Sequence, residues 1–104
     1  MADVDRKTGG EVLEKTRPRT KQPTHYNVVL HNDDYTTMQF VVEVLESIFH
    51  KSPAEAFRVM MHVHTRGKGL CGAYPHEVAE TKVGLVHDHA RAQGFPLRAS
   101  MEEA

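Results

Sequence analysis

Tryptophan is absent from this 104-residue chain, and cysteine occurs once, at Cys71. A lone cysteine closes no internal disulfide, so a covalently stapled scaffold is excluded. No apolar run approaches the roughly 18 residues that a membrane span needs. The opening Met1-Ala2-Asp3-Val4-Asp5 lacks the basic and apolar regions of a secretory signal. Both absences point to a cytoplasmic protein without a membrane partner. Strong charge of either sign is also missing: 13 Lys and Arg against 14 Asp and Glu leave a formal charge of -1. Nothing in that balance draws the chain toward nucleic acid. Internal repeats and low-complexity blocks are absent too. A chain of this size, 39% hydrophobic, has material for one small core, burying about two thirds of the surface it exposes when unfolded.

What is present divides into a polar tail and a patterned domain. Residues 1–24 offer only Val4, Val12 and Leu13 as larger apolar side chains, with Pro18 and Pro23 near the end. Such a segment cannot offset the entropy of ordering, and a flexible tail is predicted. Tyr26 to Leu30 is rich in strand formers and is closed by turn residues. Thr36 lies three residues before Gln39, the spacing of a capping box, which makes Thr36 the expected N-cap of a helix over 37–49. Phe40, Val41, Val44, Leu45 and Ile48 form its apolar face. Ser52-Pro53-Ala54-Glu55 starts a second helix, with Ala56, Phe57, Met60, Met61 and Val63 inward and Gly67 as its left-handed stop. A second strand is expected over 69–74, where Gly72 marks a bulge or a close backbone approach. A third helix over 75–93 turns Val78, Ala79, Val83, Val86 and Ala90 inward and stops at Gly94; an edge strand follows at 95–99. The order β-α-α-β-α-β predicts one α+β domain over 25–104, a three-stranded antiparallel sheet packed on one side against three helices.

The stretch from Asn32 to Met38 carries the most chemistry. Short Asx side chains close turns by bonding amides one or two residues on. One suffices for a turn, whereas Asn32, Asp33 and Asp34 stand together. Turn closure and ligand binding both account for them, and the ligand that suits spare oxygens is a cation. If the second helix packs beside the start of the first, Met38, Val41, Met60 and Val63 wall a hollow rimmed by those oxygens and by His64. A hollow of that kind suits an amine bearing an apolar side chain. Methionines at such positions serve equally as ordinary core. The eight histidines argue less for a metal: His62 and His64, like His87 and His89, are two apart, whereas a helical chelate wants an i, i+4 pair. Cys71 sits in no nucleophile signature. Glu77, Glu80 and Lys82 fall on the outer face of the third helix, where a solvated face is the simplest account.

These residues, in this order, resemble the ClpS family, adaptors of the ATP-dependent Clp protease. The likeness rests on Val28 to Met38 (Val-Val-Leu-His-Asn-Asp-Asp-Tyr-Thr-Thr-Met), Met61 to Gly67, Cys71-Gly72, Ala79 to Lys82 and Pro96-Leu97, and covers about residues 25–103. It implies a non-enzymatic adaptor, without cofactor or metal, that binds N-degrons: proteins whose first residue is Phe, Tyr, Trp or Leu. By that resemblance Asn32, Asp33, Asp34 and His64 hold the free α-amino group. Leu30, Thr36, Met38, Val41, Met60, Val63 and Leu97 line the pocket for the first side chain, with Met38 disfavouring Ile and Val. Glu77, Glu80 and Lys82 dock on the N-terminal domain of a ClpA-type ATPase, which also engages the tail. The rival implied by the same face is a docking inhibitor or scaffold that recognises no peptide. Thr37 stands where the family commonly has proline, and His31 where it often has an apolar residue. The first departure loosens the chain beside Met38 and bears on selectivity.

Overall fold

The computed structural model describes residues 24–104. The tail expected over 1–24 lies outside the described residues, Thr24 apart. Three strands and three helices follow in the order β1 (His25–His31), α1 (Met38–Ser47), α2 (Pro53–Arg66), β2 (Lys68–Pro75), α3 (His76–Gln93) and β3 (Arg98–Glu103). Both edge strands pair antiparallel with β1, giving the sheet order β2-β1-β3. Alternation along the strands sends Val28, Leu30, Cys71, Ala99 and Met101 to one face, where the helices cover them. The α+β architecture is therefore the one the patterning predicts.

Local chemistry explains most boundaries. Ser52 accepts the Glu55 N–H at 3.2 Å and Pro53 opens α2. Gly67 (φ 91°) and Gly94 (φ 79°) end α2 and α3 in the left-handed region that a side chain disfavours. At α1 the cap differs from expectation: Thr37, not Thr36, accepts the Phe40 N–H, at 3.1 Å. Thr36 is instead drawn into the preceding turn by Asp33. The helix also stops earlier, at Ser47, because His50 takes a φ of 55° and the Lys51 N–H folds back to the Leu45 carbonyl.

Other differences come from packing. Phe57 and Val78, expected inward, are exposed, and Val59, which the helical pattern passed over, is fully buried. The bulge lies one residue before Gly72: Val28 pairs with Gly72 and Val29 with Leu70, so Cys71 is the extra residue and turns into the core. Gly69 supplies a close approach that the pattern did not show, since a Cβ there would lie 2.8 Å from Val63 Cγ2 and 3.0 Å from the Val59 carbonyl. That contact lets α2 rest directly on β2. The last strand begins at Arg98 rather than at 95, because Pro96 supplies no amide to a ladder. Pro96 and Leu97 lead into it, and β3 is the edge strand expected.

Candidate functional site

β1 ends at His31, and the chain crosses Asn32 to Thr37 before α1 begins. The crossing is pinned at both ends. The Asn32 N–H donates to the Gly67 carbonyl at 2.9 Å, tying the turn to the end of α2. Asp33 closes it: one carboxylate oxygen accepts the Tyr35 and Thr36 amides at 2.8 and 2.7 Å, and the other accepts the Thr36 hydroxyl at 2.7 Å. Partial desolvation pushes the Asp33 carboxyl up; the Thr36 hydroxyl and the two amides outweigh it and hold it below the ordinary carboxylate value.

Beneath this turn lies a cavity of about 420 Å³. Met38 and Val41 from α1 and Met60 and Val63 from α2 supply its apolar wall, and Asn32, Asp33, Asp34, Thr36 and His64 its polar boundary. α1 and α2 are neighbours, so the start of one meets the end of the other, and the domain's own side chains do not fill the space between them. Asp33 is thus largely consumed by the turn. Asn32 and Asp34 are exposed, and no side-chain bond occupies them among the described residues. A carboxylate and an amide oxygen facing an apolar hollow can neutralise and orient an ammonium group whose substituent is apolar.

Two of the expected lining residues stand elsewhere. Leu30 is fully buried in the sheet core, beneath the helices rather than at the cavity. Leu97 lines a separate hollow of about 350 Å³ with His87, Arg91 and Phe95. Tyr35, by contrast, borders the main cavity and is 77% exposed. Its signal in the sequence was an aromatic ring inside an Asx turn, where burial gives it no reason to be. Glu77 and Lys82 share a shallow depression with Val78, Thr81 and Leu85, while Glu80 is exposed outside it.

The remaining chemistry candidates have structural employment. Burial pushes the Cys71 thiol up to about 12, so no thiolate is available near neutrality. No group of three or more His, Cys, Asp and Glu converges as metal ligands among the described residues. The His87 Nε2 accepts the Ala99 N–H at 3.1 Å, tying α3 to β3. None of the described helices is long and apolar enough to cross a membrane.

A small α+β domain with an acceptor-rimmed apolar hollow belongs to the class of binding modules. The comparisons are more specific. Residues 21–100 match the family described as ATP-dependent Clp protease adaptor protein ClpS. The ATP-dependent Clp protease adapter protein ClpS of Maricaulis maris (strain MCS10) is 54% identical over 101 residues, 97% of this chain and 93% of that protein. That of Oleidesulfovibrio alaskensis is 60% identical over 83 residues, 80% of each. The structure of Agrobacterium tumefaciens ClpS2 bound to L-phenylalaninamide superposes with a TM-score of 0.77 at 37% identity, covering 80% of this chain and all of that one. The chain belongs to the ClpS family of Clp protease adaptors.

Proposed function

We infer that this adaptor captures proteins by a free N-terminal amine carrying Phe, Tyr, Trp or Leu and hands them to the N-terminal domain of a ClpA-type Clp ATPase. The observation that carries this reading is the pairing of a hollow walled by Met38, Val41, Met60 and Val63 with the unspent acceptors of Asn32 and Asp34 at its rim. The Agrobacterium relative supports it, since L-phenylalaninamide presents an α-amine and a benzyl group without a carboxylate. His64 at the same rim supplies a further polar contact. Burial of a Phe or Leu side chain contributes about 1.5–3 kcal/mol. Each hydrogen bond to the ammonium adds about 1.5–3 kcal/mol, and the sum, less the cost of association, reaches micromolar affinity. On this reading the segment over 1–24 is what the ATPase engages during delivery, and Glu77, Glu80 and Lys82 meet its N-terminal domain.

Two peptides of the sequence Phe-Arg-Ser-Lys-Gly, one free and one acetylated at the amine, test the reading by fluorescence anisotropy. Acetylation removes the charge and two donors, so the free peptide should bind at least about tenfold tighter. Equal affinity would contradict recognition of the amine. A docking inhibitor without peptide recognition predicts no binding of either.

A further inference from the structure

The chain has three tyrosines, and two of them are packed. Tyr26 meets the His76 ring edge-on with 5.0 Å between centres, and Tyr74 leans on Phe49 at 6.4 Å. Both rest against the core. Tyr35 does not. It is the most exposed large apolar side chain among the described residues, and within them its ring meets no aromatic neighbour and its hydroxyl makes no hydrogen bond. A ring left in water forgoes the free energy that burial contributes. The backbone beneath it is fixed, by contrast. The Tyr35 N–H donates to Asp33 at 2.8 Å, and the Thr36 amide and hydroxyl hold the next residue to the same carboxylate. An aromatic side chain with two rotatable bonds, mounted on a fixed turn, loses little entropy when something covers it.

Tyr35 stands beside Asp34 on the boundary of the main cavity. Neighbouring Cα atoms of a polypeptide lie about 3.8 Å apart, and in an extended chain successive side chains point to opposite sides. With the amine at Asn32 and Asp34 and the first side chain in the cavity, the second side chain is therefore still at the rim but turned outward. Only a group that projects from the rim can meet it. Met38 is exposed at the same boundary, but less so than Tyr35, and Asn32 and Asp34 are short and polar. The ring of Tyr35 is the large apolar surface left for that second side chain.

We propose that Tyr35 contacts the second residue of the captured polypeptide and favours an apolar side chain there. The inference rests on the function proposed above and adds a determinant outside the cavity. L-Phenylalaninamide, which has no second residue, separates the two. The test measures Phe-Leu-Ser-Lys-Gly, Phe-Ser-Ser-Lys-Gly and L-phenylalaninamide as competitors of a labelled Phe-initiated peptide, on the full chain and on Tyr35→Ala and Tyr35→Phe. The Leu peptide should bind wild type about three- to fivefold tighter than the Ser peptide, as partial burial of one Leu side chain allows. Tyr35→Phe should keep that advantage. Tyr35→Ala should lose it, weakening the Leu peptide about three- to fivefold more than L-phenylalaninamide. Because the chain has no tryptophan, a Trp at the second position of the peptide gives an independent readout. Its emission should shift to the blue on binding wild type and shift less on binding Tyr35→Ala. Equal affinity of the Leu and Ser peptides for wild type, or a Leu advantage that survives in Tyr35→Ala, overturns the proposal while leaving amine recognition intact. So does an equal loss for L-phenylalaninamide and the Leu peptide, which would place the ring against the first residue. Unaltered peptide binding with weakened ATPase binding in Tyr35→Ala also overturns it. Failure of L-phenylalaninamide and of every peptide to bind wild type removes both readings together.

Discussion

Lys82 Nζ donates to the carbonyl of Ile48 at 2.7 Å, so a side chain of α3 closes the C-terminal end of α1. The same ammonium stands 5.7 Å from the Phe49 ring centre and 5.3 Å from that of Tyr74. A cation at a helix C-terminus, over two aromatic faces, satisfies an orphan carbonyl and opposes the helix dipole. Lys82 thereby holds the helix that supplies Met38 and Val41 to the cavity.

Replacing Lys82 should be felt first in stability. Lys82→Ala removes a charge-assisted bond and is expected to cost about 1–3 kcal/mol, read as a lower urea midpoint. The measurement also sorts the proposed docking role. Weakened binding to the ATPase at unchanged stability would assign Lys82 to the docking contact directly, whereas parallel losses would assign the effect to a displaced α1.

Asp33 and Asp34 are adjacent in sequence and should part company on mutation. Asp33→Ala breaks the bonds to Tyr35 and Thr36 and is expected to destabilise the domain by about 1–3 kcal/mol. Asp34→Ala should leave the unfolding midpoint nearly unchanged and weaken every Phe-, Tyr-, Trp- or Leu-initiated peptide by about tenfold or more. A large stability loss for Asp34→Ala would mean that the assignment of turn and ligand oxygens is reversed.

The pH dependence follows from the same bonds. The folded-state carboxyl of Asp33 lies below its unfolded value of 3.8, so the native state binds fewer protons than the unfolded one across that interval. Stability from this group is full above the unfolded value and declines as pH falls through about 4 and below. His31, also depressed, from 6.5, contributes with the same sign: its share is present above the unfolded value and declines as the solution becomes more acidic. Urea midpoints from pH 8 to pH 3 should therefore fall in two stages, and Asp33→Ala should flatten the lower one.

Met38 is 47% exposed at the cavity boundary, an arrangement in which its side chain shapes the entrance more than it supports the core. Met38→Ala should cost less than about 1.5 kcal/mol of stability and narrow the gap in affinity between Leu- and Ile-initiated peptides. A gap unchanged in the variant would remove Met38 as the selecting residue.

Cys71 should resist thiol reagents in the native state, because desolvation keeps it protonated. Labelling by a disulfide reagent is expected only at the rate at which the domain opens. Fast stoichiometric labelling of folded protein would contradict the burial.

Much of this protein was written in short-range patterns. The face of Phe40, Val41, Val44, Leu45 and Ile48 is buried as its spacing predicts, because helical periodicity depends only on residues three and four apart. Ser52, Pro53, Gly67 and Gly94 act where capping chemistry puts them, within one turn of the residues they serve. The composition of the rim, three Asx residues ahead of a methionine, was equally plain. Tertiary structure decided what no local rule distinguishes. The backbone path through the turn determined that Asp33, rather than Asp34, spends its oxygens on amides, and that Thr37 caps α1. Packing of α2 onto Gly69 and pairing of three strands placed Leu30 and Leu97 away from the cavity and set His31 between Lys68 and Arg98. Those partners lie tens of residues apart along the chain, and only closure of the sheet brings their charges onto one face.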